Sequence, residues 1–171
     1  NNRYSNMGKF SRAELEAAFE KYKRIKDECS RTGNWSPFAD QFTKDCYYVE
    51  HAYGEFHGRE QVRRYIVNVM APYTNMSFPF DWSTIDEENG AIIFQVQNAF
   101  PKPFKDDGTP FMFPNITRLV YAGNGLLKEE QDWYNPKLHA GNVVKAWIAA
   151  GGKFESKEKL VMMHDKKRTK S

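Results

Sequence analysis

Cysteine is scarce in this chain of 171 residues: there are two, Cys29 and Cys46. They lack the CxxC spacing of a zinc or redox site. One falls on a predicted helix and the other at a predicted strand start, which reads as two buried thiols. Long apolar runs are missing as well. None approaches the roughly 20 residues needed to cross a bilayer, and the start, Asn1-Asn2-Arg3-Tyr4, has no apolar run of the secretion-signal type. A cytoplasmic protein without membrane contact is expected. Neither a phosphate-binding glycine loop nor a nucleophile elbow is present. His51, His57, His139 and His164 have no metal-ligand spacing and are expected at surface or ordinary core positions. No metal or cofactor is therefore expected.

An excess of one charge is also lacking in the body of the chain. The formal net charge is +3. Residues 153–171 alone hold seven Lys/Arg against three Asp/Glu, which contributes +4 and leaves the rest near −1. A nucleic-acid surface on the folded part is thus not expected, and Lys166-Lys167-Arg168-Thr169-Lys170 reads as a solvated tail.

Aromatic rings are abundant: 13 Phe, 9 Tyr and 4 Trp, 15% of the chain. That content suits a globular interior lined by rings, and the length suits one domain. Ser11 and Glu14 form a capping box, after which Leu15, Ala18, Phe19, Tyr22, Ile25 and Cys29 recur at helical spacing. Thr32-Gly33-Asn34 breaks that helix. Ser36-Pro37 then reads as an N-cap followed by a first-turn proline, opening a short second helix with Phe38 and Phe42. Gly58 opens a third, with Val62, Ile66, Val69 and Met70 on one face, and Pro72 closes it.

Between these helices Cys46 to His51 reads as a strand. From Phe80 the period changes to two. Phe80–Ile85 and Ala91–Phe100 flank Glu88-Asn89-Gly90, and Ile116–Tyr121 and Leu126–Tyr134 flank Gly123-Asn124-Gly125, where Asn-Gly signals a hairpin. Asp106-Asp107-Gly108 joins the middle strands of this antiparallel meander. A last helix is predicted over Leu138–Ala149, ended by Gly151-Gly152. The order is α+β, organised as an arm (1–10), a single domain (11–150) and a basic tail (151–171).

Several segments resemble a known group. Gly33-Asn34-Trp35, Phe42-Thr43-Lys44-Asp45-Cys46-Tyr47-Tyr48-Val49-Glu50 and Gly58-Arg59-Glu60-Gln61-Val62-Arg63 resemble the opening of SnoaL-like proteins of the nuclear transport factor two-like superfamily. Gly125-Leu126-Leu127-Lys128-Glu129-Glu130-Gln131-Asp132-Trp133-Tyr134 resembles that group's final strand. Together they span about residues 11 to 150. The resemblance implies a cone-shaped α+β barrel, with N-terminal helices packed on a curved, mostly antiparallel sheet that encloses a pocket. This fold hosts isomerases, cyclases, dehydratases, epoxide hydrolases and non-catalytic partners, so it does not by itself fix a function.

Asp132, counted from the hairpin glycine Gly125, takes a place similar to that of the catalytic aspartate of limonene epoxide hydrolases. Periodicity does not choose its direction, because Leu126, Lys128, Glu130, Asp132 and Tyr134 look no more buried than the alternate set. Glu50 occupies a place similar to that of the general-base aspartate of ketosteroid isomerases, with Tyr48 on the same face. Patterning argues the other way, since Tyr47, Val49 and His51 form the more apolar face.

Asn98 rests on the residues themselves. Ile92, Phe94, Val96, Asn98 and Phe100 form an apolar face with one amide, either a core amide satisfied by backbone or a pocket residue. In the comparison with limonene epoxide hydrolases, Val96 and Asn98 stand where that family has an arginine and a second aspartate, so the resemblance counts against epoxide hydrolysis. Tyr22 and Trp35 are placed by the resemblance at the pocket mouth, although core packing also accounts for each. Phe94, Val96 and Tyr134 complete the expected substrate-binding set.

The expected function is a cofactor-free enzyme using general acid/base catalysis, an isomerase, cyclase, dehydratase or other lyase, on a small and largely apolar carbonyl- or hydroxyl-bearing molecule. Asp132 and Glu50 would move the proton, and Tyr48 and Asn98 would hold the oxygen. The alternative is a binding or interaction module of the same fold without turnover, dimerising through the outer face of the sheet.

Overall fold

A computed structural model describes residues 9–154 of the chain. Helix α1 runs over Arg12–Thr32; the Ser11 hydroxyl accepts from the Glu14 amide at its start and Gly33, at φ 72°, ends it. Its inner face carries Leu15, Ala18, Phe19, Tyr22 and Cys29 as expected. Lys26 joins them, buried, where the pattern nominated Ile25, which is only half-buried. The short second helix is a 3-10 turn over Ser36–Gln41, with Trp35 rather than Ser36 at its cap and no side-chain capping bond. Strand β1 then runs over Phe42–Glu50, starting four residues before the expected Cys46.

Strand β2 (Gly54–His57) was not anticipated: four residues containing a glycine are too short to show a period. Helix α2 follows over Arg59–Met70, with Val62, Ile66 and Val69 buried. Strands β3 (Phe80–Asp86), β4 (Ala91–Ala99), β5 (Met112–Gly123) and β6 (Leu126–Trp133) complete one six-stranded sheet in the order β2-β1-β6-β5-β4-β3. Every pairing is antiparallel except β1 with β6, which is parallel.

The two Asn-Gly turns differ. Between β5 and β6, Asn124 (φ 54°) and Gly125 (φ 70°) both adopt left-handed backbone, the two-residue hairpin that this dipeptide favours. Between β3 and β4 only Gly90 does (φ 61°), and the Asp86 side chain instead ties the turn through the Asn89 amide and backbone.

The core lies between α1 and the sheet. Phe94 of β4 meets Phe19, Tyr22 and Phe80 at ring-centroid distances of 4.9, 5.5 and 5.3 Å. Register shifts in β5 at Val120–Gly123 bend the sheet around these rings. Cys29 and Cys46 are free and buried.

After β6 the chain makes a π turn at Pro136–Ala140, capped by the Asn135 side chain, and then α3 over Gly141–Ala149. These pieces replace the single helix expected from Leu138. Residues on either side of 11–150 also pack on the domain. Phe10, assigned to the arm, packs edge-on against Tyr121 at 4.8 Å. Phe154, assigned to the tail, packs on Tyr73 and Trp147, both at 5.3 Å. The basic run 166–170 lies outside the described residues. Among the described residues no helix is long and apolar enough to cross a membrane.

Candidate active site

The parallel pairing of β1 with β6 creates the site. Its register sets Tyr48 beside Glu130 and Glu50 beside Asp132. Neighbours in register share a sheet face, so a phenol and three carboxyls project together toward the helices. Thr117 of β5 lies opposite Asp132 on its other side, and Asn115 is one period earlier on the same face. The acids are well removed from solvent: Glu50 is 3% exposed, Glu130 1% and Asp132 6%.

Asp132 is held by three donors. Tyr48 Oη donates to Oδ2 at 2.7 Å, while Thr117 Oγ1 and Asn115 Nδ2 donate to Oδ1 at 2.5 and 3.1 Å. Glu130 Oε1 accepts from Tyr22 Oη at 2.7 Å and lies 3.2 Å from Tyr48 Oη. A phenol has one proton, so Tyr48 serves one acid at a time, and the shorter distance favours Asp132. Glu130 Oε2 is buried with no hydrogen-bond partner among the described residues. Burial raises the Glu130 carboxyl well above the ordinary range, and the Asp132 charge beside it raises it further.

Glu50 is positioned by the turn between β1 and β2. Its Oε2 accepts from the backbone amides of Ala52 and Tyr53 at 2.8 and 2.7 Å, while Oε1 is buried with no close hydrogen bond among the described residues, the Tyr134 phenol being the polar group near this carboxyl. Burial, reinforced by the charge of Asp132, pushes this carboxyl up to about 7. The same burial, with the carboxylates nearby, pushes the Tyr48 and Tyr65 phenols well above their usual value.

These groups border a cavity of about 250 Å³ between α1, α2 and the sheet, with Glu50, Asp132 and Asn115 on its wall. The volume is below the roughly 300–1,000 Å³ typical of drug-sized ligand pockets, so a small molecule fits. Tyr53, Tyr65 and Tyr134 surround the Glu50 end, and Trp35, Met76 and Phe78 border the end nearest α1.

Of the residues nominated from sequence, Asp132, Glu50 and Tyr48 come together, and Asn98, Trp35 and Tyr134 line the cavity. The Asn98 amide is half-buried, makes no side-chain hydrogen bond among the described residues and borders the cavity. Three nominated residues sit elsewhere. Phe94 and Val96 are fully buried in the core behind the wall, and Tyr22 braces Glu130 from behind instead of marking the mouth. They share a face with Asn98 or the inner stripe of α1, but the helix covers them.

Sequence reasoning missed Glu130, Asn115, Thr117, Tyr65 and Lys26. Glu130 had a usable signal, since it stands two residues before Asp132 and must share its direction. His51, His57 and His139 are exposed, and His164 lies outside the described residues.

A neutral buried acid has a measurable consequence. An unfolded glutamate ionises near 4.5, whereas folded Glu50 keeps its proton to about 7. The folded state therefore binds more protons across that window, and stability falls as pH rises through it. Glu130 acts in the same sense. Glu130→Gln, which cannot ionise, is expected to raise the melting temperature more at about pH 8 than at about pH 5. Thermal denaturation in the two buffers checks this, and an equal gain in both contradicts it.

Solved structures of low sequence identity share the fold. An NTF2-like protein from Anabaena variabilis is 15% identical, with a TM-score of 0.55 over 79% of this chain and 94% of that one. A hypothetical protein with a ketosteroid isomerase-like fold from Catenulispora acidiphila, in complex with trimethylamine, is 20% identical, with a TM-score of 0.58 over 72% and 92%. An LEH-like epoxide hydrolase from M. tuberculosis is 10% identical, with a TM-score of 0.58 over 81% and 91%. At these identities the likeness establishes the fold alone. No curated protein sequence matches the chain significantly. The family follows from the sequence itself: residues 26–129, which carry α1's inner end, both strands of the β1–β2 hairpin and the meander into β6, match the SnoaL-like domain, and the chain belongs to that family.

Proposed function

We propose that this protein is an enzyme that moves a proton on a small, largely apolar, carbonyl- or hydroxyl-bearing molecule without a cofactor, in an isomerisation, cyclisation or elimination. The observation that carries this reading is Glu50. Among the described residues one of its oxygens is fixed by two backbone amides, the other faces the Tyr134 phenol without a close hydrogen bond, and its pKa is raised to about 7 on the wall of an aromatic cavity. A carboxyl poised near the working pH both accepts and returns a proton efficiently.

In this reading Glu50 takes a proton from carbon or oxygen and redelivers it. Asn98 donates its unused amide to the oxygen on which charge develops. Tyr48 is committed to Asp132, so it positions that carboxylate instead of binding the substrate oxygen. Asp132, held by three donors, stands beside Glu50, and its charge adds to the burial that raises the Glu50 carboxyl. A second copy of the chain is proposed to pack on the outer sheet face, where Trp82, Ile116 and Trp133 are exposed.

Deuterium exchange tests the chemistry before the natural substrate is known. In heavy water the protein is expected to exchange the α-hydrogens of some members of a panel of small cyclic and aryl ketones faster than buffer does, followed by proton NMR. Asp132→Asn is expected to slow that exchange at least about tenfold. An undiminished rate removes Asp132 from the mechanism, and a panel that binds without exchange favours ligand binding without turnover.

A further inference from the structure

Lys26 is a charged side chain that the proton-transfer reading does not use. It projects from the inner face of α1 one turn after Tyr22, is 9% exposed, and borders the cavity. Buried lysines are rare unless paired. Among the described residues its Nζ has neither a hydrogen bond nor a carboxylate within 4.0 Å. Its near neighbours are ring faces: Phe78 at 4.7 Å and Tyr22 at 5.6 Å from the ring centroids. Rings attract an ammonium through their quadrupole but leave its N–H donors unfilled.

Lys26 and Glu50 occupy different parts of the cavity. Lys26 is close enough to Glu130 for the two charges to interact. Glu50 interacts instead with Asp132, and Tyr48 lies between Glu130 and Asp132. The wall thus has a cationic pole beside Trp35 and Phe78 and a proton-transferring pole beside Tyr53 and Tyr134, joined by apolar side chains. Because burial keeps Glu50 and Glu130 protonated to higher pH, the three acids repel an incoming anion less than their number implies.

We propose that Lys26 receives an anionic group, so that the ligand of this cavity is a small amphipathic carboxylate whose acid end docks on Lys26 and whose apolar body extends toward Glu50. This rests on the cavity being the substrate site of the preceding reading, but it concerns recognition and not chemistry. An ammonium in a low-dielectric wall discriminates strongly between an anion and a neutral isostere, because a neutral group leaves the buried charge uncompensated.

The test compares 3-phenylpropanoate with its neutral near-isostere 3-phenylpropanamide by isothermal titration calorimetry. Wild-type protein is expected to bind the carboxylate at least about tenfold more tightly, a difference of about 1.4 kcal/mol. Lys26→Met, of similar length and shown to be folded by its melting curve, is expected to abolish the preference, whereas Lys26→Arg retains it. Equal binding of the two probes by wild-type protein, no binding of the carboxylate at millimolar concentration, or a preference that survives Lys26→Met overturns the proposal. Glu50→Gln separates the two readings: it is expected to keep the carboxylate preference while slowing proton exchange by at least about 100-fold. Loss of exchange chemistry alone therefore leaves the recognition claim standing.

Discussion

Glu50→Gln is expected to lower the rate of proton transfer by roughly 10²- to 10⁴-fold, the usual contribution of a positioned general base. Glutamine matches the size of glutamate and preserves an oxygen for the Ala52 and Tyr53 amides, so the turn after β1 keeps its partners. What disappears is the ability to hold a proton. The wild-type pH profile of kcat/KM for an exchanging ketone should rise through a single limb near 7 and level above it, since the base acts in its ionised form. Loss of rate together with loss of that limb assigns the limb to Glu50. A variant that retains the limb would move the base to another residue.

The second large effect concerns stability. Phe94→Ala is expected to cost about 3–5 kcal/mol, the range for deleting a fully buried phenylalanine, because the ring touches Phe19, Tyr22 and Phe80 and no solvent. Denaturant titration reads this as a lower midpoint with an unchanged slope. Phe94 lies behind the cavity wall, so the folded variant should bind a small ligand with little change in affinity. A large loss of affinity with little loss of stability would return Phe94 to the pocket.

Much of the architecture was legible because period changes are robust. The N-cap at Ser11, the Asn124-Gly125 turn and the alternation in β4 each appear where local pattern puts them, although the Glu14 carboxylate of the expected capping box accepts from Tyr121 instead. The misses have local causes. The first part of β5 contains Pro114 and Asn115, poor strand formers, yet both pair with β4, at Gln97 and Val96; Asn115 was therefore passed over. The acids resisted pattern reading for a different reason. Alternation put Glu50 outside because its own strand offers an apolar alternative face, but the β1–β2 turn requires an acceptor for two amides and draws the side chain inward. Asp132 could not be oriented from β6 alone, since its direction is fixed by Tyr48 and Thr117, partners far away in sequence. Lys26 was hidden by the convention that a lysine on an amphipathic helix faces water.

The parallel strand pair also sets when the acids acquire their shifted protonation. The bond from Tyr48 to Asp132 links residues 84 positions apart, and such distant pairings form only after the costly closure of a long loop. During synthesis and early collapse the acidic side chains therefore sit in water and titrate as ordinary solutes. Uptake of protons from the medium accompanies the closing of β1 onto β6, which makes the raised carboxyl of Glu50 a property of the finished molecule and leaves partly assembled chains without it.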